Sequence, residues 1–180
     1  DTLIREQHQK NSKKGLDAEY DFREIVYQVL QHYSTDEKQL EEITNDIVES
    51  EKKRELGTLY LNPEAIPLLK KLKQDGKTII AASDMYTPQD VLENIFTHLG
   101  IREFFDHVYI SSKTSKLKST GKLFQHILKD LDLSNKELIH LGDTLHSDII
   151  PAQRIGLTAI HYKNADNINR RNRVGNMMNN

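Results

Sequence analysis

The sequence predicts an α/β fold: a parallel β-sheet with helices on both faces, plus a helical insertion near the N-terminus. Three observations support this. Helix-period patterns fill the first third of the chain, short apolar runs alternate with helical patterns from residue 62 onward, and turn residues separate them. Strands that alternate with helices imply right-handed crossovers and therefore parallel pairing. Ligands of such sheets bind at the carboxyl ends of the strands.

Two amphipathic helices are expected in the first third of the chain. Apolar residues recur at helical spacing between Phe22 and Tyr33, and again between Leu40 and Ile47. Thr35 is the expected N-cap of the second helix. The two apolar faces are expected to pack together.

A well-delimited helix and a strand follow. Asn62 and Pro63 predict the start of the helix, and Gly76 predicts its end. The apolar run 78–82 then predicts a buried parallel strand that ends at Ser83.

The alternation continues to residue 161. Thr87 opens the next helix, with Asp90 at capping-box spacing. The remaining pattern predicts strands at 108–110, 138–141 and 157–161, with helices at 123–131 and 149–154.

Composition restricts the classes of function. At 180 residues, 37% of them hydrophobic, the chain can form one compact core with a small accessory lobe. A net charge of −2 argues against binding to nucleic acid or to an anionic membrane. Cysteine is absent, which excludes disulfides and thiolate metal sites. No apolar run suits a signal peptide or a membrane span, so we expect a cytoplasmic protein.

Two carboxylates lie on one tight loop after the third predicted strand. Asp143 and Asp148 offer hard oxygen ligands of the kind that magnesium prefers. The alternative is that Asp148 caps the next helix and Asp143 only occupies a turn. His146 is the only histidine expected near this loop, and no histidines have metal-ligand spacing.

Two further segments carry groups suited to phosphate. Ser83 offers a hydroxyl at a strand end, next to Asp84 and to outward-pointing backbone N–H groups. Lys118 places a positive charge before a predicted helix entrance, where anions are already favoured. The alternatives are an ordinary turn serine and a solvated loop lysine.

Together and in this order, the segments resemble motifs two, three and four of the haloacid dehalogenase (HAD) superfamily. IIAASDMY resembles the second motif, LKSTGKLF the third with Lys118 at its lysine, and LIHLGDTLHSDIIPAQRIG the fourth. The resemblance covers residues 62–162. The residues SDMY, which end the second motif, are similar to the same segment of HAD-like domains found with enzymes of bacterial surface-polysaccharide assembly.

The resemblance implies a Rossmann-like core and a magnesium-dependent phosphohydrolase that acts on a small phosphorylated metabolite through an aspartyl-phosphate. Ser83 and Lys118 would be catalytic, and both would bind phosphate together with Asp84. Asp143 and Asp148 would hold Mg²⁺.

The first motif is represented only by its tail. Asp1-Thr2-Leu3 looks like the end of that motif, whose nucleophilic aspartate lies three residues before the position of Asp1. The nucleophile, and the acid two residues after it, are therefore not in the sequence. Asp1 itself is a poor nucleophile candidate, because no apolar strand precedes it.

The resemblance also suggests a domain organisation. Residues 5–61 correspond to a helical cap insertion, residues 1–4 and 62–163 to the α/β core, and residues 164–180 to a polar tail.

Three alternatives to the phosphohydrolase remain. The first is a non-catalytic HAD-like domain with a regulatory or assembly role, partnered by other domains of a longer polypeptide. The second keeps the scaffold but performs dehalogenation or phosphoryl transfer. The third, a phosphoacceptor receiver domain, does not account for the helical insertion or for a Gly-Asp loop near the end of the chain.

Overall fold

The computed structural model describes residues 2–59 and 61–162. The chain forms two compact units, one extending to Leu117 and the other beginning at Lys118. Helices alternate with parallel strands, so the predicted α/β class is confirmed. The predicted tail, 164–180, lies outside the described residues.

The first unit contains the long helices and one parallel strand pair. Ile80 of β1 lies opposite His107 of β2, and Ser83 lies opposite Ile110. A 3₁₀ turn precedes β2. In chain order, its elements are α1 (Thr2–Lys13), α2 (Phe22–Leu30), α3 (Glu37–Thr58), α4 (Ala65–Gln74), β1 (Ile80–Ser83), α5 (Gln89–His98), β2 (His107–Ile110) and α6 (Ser111–Thr114).

Aspartate side chains cap α2 and α3. The carboxylate of Asp21 accepts the backbone N–H of Glu24 at 3.0 Å. That of Asp36 accepts the N–H of Lys38, also at 3.0 Å. The prediction of Thr35 as the cap of α3 is therefore wrong by one residue. A carboxylate two positions before Lys38 satisfies amide groups that have no partner inside the helix.

The end of α4 follows the predicted signal, whereas the starts of α4 and α5 do not. Asn62 and Pro63 predicted a start at residue 63, but the helix begins at Ala65, and Glu64 before it makes no side-chain capping bond. The side chain of Asn62 accepts the N–H of Glu64 at 3.0 Å, and Gly76 follows the helix with a positive φ of 69°.

The capping box of Thr87 and Asp90 does not form. Pro88 precedes the first residue of α5, and the Thr87 hydroxyl is buried with no hydrogen-bond partner among the described residues.

An apolar cluster joins α3 to α5. Val48 packs with Val91 and Ile95, and the last is 1% exposed. Removing the apolar surface of these side chains from water stabilises the packing of α3 on α5.

The face predicted from Leu40, Ile43 and Ile47 is buried only at Leu40. The buried residues of α3 are Leu40, Thr44 and Val48, whereas Ile43 and Ile47 are exposed.

The second unit contains the other strand pair. Ile139 of β3 lies opposite Thr158 of β4, and Gly142 lies opposite His161. Phe124, Ala152 and Leu157 form a buried apolar cluster within it. In chain order, its elements are α7 (Lys122–Asp130), β3 (Ile139–Gly142), one π-helical turn (Leu145–Ile149), α8 (Ile150–Arg154) and β4 (Thr158–His161).

Side chains alternate strictly along β3. His140 and Gly142 are half-buried, whereas Ile139 and Leu141, on the other face, are 61% and 44% exposed. Over the ranges that the structure describes, none of the helices combines the length and the apolar composition required to cross a membrane.

The cluster between α3 and α5 gives a test of the fold. Ile95→Ala should lower the free energy of unfolding by about 2–5 kcal/mol, because it leaves a cavity among buried side chains. Urea denaturation would measure this change. Ile43→Ala, at a 38% exposed position of α3, is the matched control and should cost less than about 1 kcal/mol. Equal losses in the two variants would contradict the packing described.

Candidate functional site

Ser83 is the last residue of β1, and the loop after it is held through its backbone. Ser83 is half-buried and Asp84 is exposed. The hydroxyl of Ser111 accepts the N–H of Met85 at 2.9 Å. The hydroxyl of Ser112 donates to the carbonyl of Thr87 at 2.7 Å. Two serines from the start of α6 therefore fix the chain just beyond Ser83.

A buried carboxylate organises the second unit. Asp148 is 3% exposed, and its Oδ1 accepts a hydrogen bond from Lys118 Nζ at 2.6 Å. Nε2 of His140 lies 3.1 Å from the same oxygen. The backbone N–H of Thr144 donates to Oδ2 at 3.0 Å. The structure thus brings Lys118 and Asp148 together, although 30 residues separate them in sequence.

These contacts determine the charge of Asp148. Burial raises its pKa, but hydrogen bonds to His140 and Lys118, together with the Lys118 charge, have the larger combined effect. The pKa therefore lies well below its ordinary value of 3.8. The Lys118 side chain is 14% exposed, so the pair is screened less by solvent than a surface ion pair. At neutral pH the carboxylate is ionised and hydrogen-bonded through both oxygens.

Asp143 lies directly after β3 and has a different environment. Its side chain is exposed, and its Oδ1 accepts the hydroxyl of Thr144 at 3.2 Å. Its main-chain carbonyl oxygen lies 3.0 Å from Nε2 of His161, at the end of β4. The neighbouring strand thus contacts the backbone of the loop, while the carboxylate faces solvent.

The glycine before Asp143 is required by close packing. A Cβ atom at Gly142 would lie 2.4 Å from both Cβ and Cγ of Asp148. Contacts this short do not occur between non-bonded carbon atoms, so any side chain at this position would displace Asp148. The Gly-Asp sequence therefore makes room for the buried carboxylate.

The donors suit an oxygen-ligated cation only in part. Among residues 2–59 and 61–162, no group of three or more His, Asp or Glu side chains could hold a metal ion. Asp143 offers an exposed carboxylate of the kind that Mg²⁺ prefers. Both oxygens of Asp148 already accept hydrogen bonds from protein groups.

Two histidines near this loop were not predicted from the sequence. The prediction that His146 is the only one near the loop is wrong, because His140 contacts Asp148 and His161 contacts the backbone of Asp143. One signal was available for His140. It precedes Gly142 by two residues in a predicted strand, so it lies on the same face as the loop's glycine. His161 required the strand register, which the sequence does not contain.

Curated relatives of this chain include two archaeal sugar-phosphate phosphatases. A glyceraldehyde 3-phosphate phosphatase of Pyrococcus furiosus is 28% identical over 150 residues, covering 83% of this chain and 54% of that protein. A ribulose-1,5-bisphosphate 5-phosphatase of Halopiger xanaduensis is 28% identical over 107 residues, covering 59% of this chain and 44% of that protein. The chain thus spans about half the length of these relatives.

Solved structures share the fold. A 2-haloacid dehalogenase from Pseudomonas syringae superposes with a TM-score of 0.61 at 19% identity, covering 78% of this chain and 57% of that one. An uncharacterised protein from Listeria monocytogenes superposes with a TM-score of 0.51 at 29% identity, covering 59% and 62%.

The similarity of SDMY to domains of surface-polysaccharide assembly stays a prediction.

The family itself is established by a match that spans most of the chain. The model of haloacid dehalogenase-like hydrolases matches residues 3–156, which include the predicted motifs two, three and four. The chain therefore belongs to the haloacid dehalogenase-like hydrolase family.

Proposed function

We propose that this chain is part of a magnesium-dependent phosphohydrolase that acts on a small phosphorylated metabolite. The observation that carries the proposal is the buried pair of Lys118 and Asp148 beside the carboxyl end of β3. Holding a lysine in an ion pair gives its ammonium group a fixed position, from which it can neutralise a phosphate oxygen. The archaeal phosphatase relatives support this reaction class.

Each predicted residue has a separate role in the proposal. The Ser83 hydroxyl and the backbone of the loop after it bind the transferring phosphoryl group, with Asp84 at the same strand end. Lys118 neutralises the phosphate and the attacking carboxylate.

The nucleophile is an aspartate of the first motif that precedes Asp1. It attacks the phosphorus, the ester P–O bond breaks, and the alcohol leaves with a proton from the acid two residues after the nucleophile. Water then hydrolyses the aspartyl-phosphate, which releases inorganic phosphate and restores the aspartate.

We propose Asp143 and Asp148 as the Mg²⁺ ligands of this chain. When bound, the ion offsets the negative charge that develops on the phosphate oxygens. Oδ2 of Asp148 accepts the N–H of Thr144 and retains an acceptor site for the ion. Its Oδ1 holds Lys118 in place.

A non-catalytic role in a longer polypeptide is the second candidate. One observation favours it: the part of the chain that the structure describes has no group of three metal-ligating side chains. Phosphate release separates the two candidates. The full-length protein, incubated with Mg²⁺ and a panel of sugar phosphates, should release inorganic phosphate from at least one of them. A full-length protein that is inactive across the panel would favour the non-catalytic role.

The metal assignment can be tested with Asp143→Asn. The substitution removes a negative charge but keeps the shape, so Mg²⁺ affinity should fall by roughly tenfold or more with little change in stability. Isothermal titration with Mg²⁺ would measure the affinity, and thermal unfolding the stability. Asp46→Asn, at an exposed position on α3, is the control and should leave both unchanged. Unfolding of the Asp143→Asn variant without a change in metal affinity would show that Asp143 is only a turn residue.

The role of Asp148 predicts a pH dependence of stability. Its pKa is lower in the folded protein than in the unfolded chain, so its contribution is present at neutral pH and declines as the pH falls below about 4. Asp148→Asn should therefore reduce the loss of stability that accompanies acidification. Urea denaturation at a series of pH values from neutral to acidic would measure this difference.

Lys118→Met provides the matching variant. It removes a donor that lowers the pKa of Asp148. The loss of stability on acidification should therefore be smaller than in the wild type but larger than in Asp148→Asn. If the free energy of unfolding of both variants falls with pH as steeply as that of the wild type, the proposed ion pair is ruled out.

A further inference from the structure

The Tyr86 side chain joins the loop after Ser83 to the helices that precede it in the first unit. Its ring stacks on Tyr20, with ring centres 6.0 Å apart and planes 22° apart. Its ring also forms a T-shaped contact with Phe22, with ring centres 5.7 Å apart and planes at 74°. The main chain adds to this, because the N–H of Phe22 donates to the carbonyl of Tyr86 at 2.9 Å.

The Tyr86 hydroxyl enters a charged cluster on α3. It donates to Oε1 of Glu51 and accepts from Nη2 of Arg54, the latter at 3.0 Å. Arg54 also binds Glu51 through both of its carboxylate oxygens, with Nε to Oε2 at 2.9 Å. Only 16% of the Glu51 side chain is exposed. A hydroxyl that donates to an ionised carboxylate makes one of the stronger hydrogen bonds in proteins.

This cluster keeps one protonation state across the range of enzyme assays. Hydrogen bonds from Arg54 and Tyr86 lower the pKa of Glu51 to about 2. The hydrogen bond to Glu51, with burial, raises the pKa of Tyr86 to about 12. Between these limits the phenol stays neutral and the carboxylate stays ionised. The contact therefore acts as a fixed connection and not as a pH switch.

The loop is held from two directions. Ser111 and Ser112 of α6 bind the backbone of Met85 and Thr87. The ring and hydroxyl of Tyr86 contact the Tyr20–Phe22 segment and α3. The second attachment consists of the bond from the Phe22 N–H to the Tyr86 carbonyl, the ring contacts and the hydroxyl contacts of Tyr86, and the hydroxyl is the part that reaches α3.

We infer that Tyr86 is a positioning residue, whose hydroxyl contacts with Glu51 and Arg54 fix the loop that follows Ser83. The inference rests on the proposed function, in which Ser83 and this loop bind phosphate. Tyr86 does not itself touch the phosphoryl group in this scheme. It acts by keeping the loop in the conformation that binds it.

The test uses Tyr86→Phe in the full-length protein, which keeps the ring contacts and removes only the hydroxyl. Loss of this hydrogen bond should lower kcat/KM for a sugar phosphate by roughly three- to tenfold, measured well below the melting temperature. Amide hydrogen exchange of residues 84–87 should become faster. A purely structural role would lower the melting temperature without changing either readout in the folded protein.

Substitutions of Glu51 sharpen the test. Glu51→Gln still accepts the hydroxyl and should lose less activity than Glu51→Ala. Combining Glu51→Ala with Tyr86→Phe should cost less than the sum of the two single losses, because both remove the hydrogen bond between Tyr86 and Glu51. The control is Glu49→Ala, which removes an exposed ion pair with Lys52 on the same helix. It should leave kcat/KM and the exchange of residues 84–87 at wild-type values.

The outcomes separate this inference from the proposed function. If Tyr86→Phe retains wild-type kcat/KM and wild-type exchange of residues 84–87, the inference is overturned while the phosphohydrolase proposal stands. If the wild-type protein hydrolyses no phosphate ester, the proposed function fails. Hydrogen exchange of the loop amides in Tyr86→Phe still tests whether Tyr86 positions the loop. Faster exchange then supports the positioning role, and unchanged exchange overturns it.

Discussion

The second unit depends on satisfying one buried negative charge. Asp148 is almost fully buried, and a carboxylate in that position is costly unless charged and polar partners compensate for the water it has lost. Lys118, His140 and the backbone of Thr144 supply this compensation. Each comes from a different stretch of chain, so satisfying the carboxylate also fixes where the lysine, strand β3 and the Gly-Asp loop lie.

Local signals in the sequence predicted the strands well, but they predicted the N-caps of the helices less well. All four strands fall within two residues of their predicted positions, because short apolar runs ended by turn residues are local patterns. The choice between Thr35 and Asp36 depends on which side chain reaches the first helical amides, and composition favours both. Thr87 has the spacing of a capping box, yet Pro88 precedes the helix and the hydroxyl is buried without a partner in the part of the chain described.

The residues of the candidate site could be predicted where their roles follow from their positions in the sequence motifs. Lys118 and Asp148 were selected by motif position, and the structure adds the contact between them. Tyr86 and His140 were not selected. Their importance arises from residues 35 and 8 positions away, which only the folded chain brings near them. Aromatic and histidine side chains inside a fold are common, so neither residue stands out by type alone.

The space shared by Gly142 and Asp148 couples two positions of the chain. The carboxylate side chain fills the volume that a Cβ at position 142 would need. Position 142 therefore cannot gain a side chain while Asp148 stays in place: a larger residue there is tolerated only where position 148 becomes smaller, and that change removes the acceptor for Lys118. In a library that varies this loop, sequences that keep Asp148 would also keep glycine at position 142.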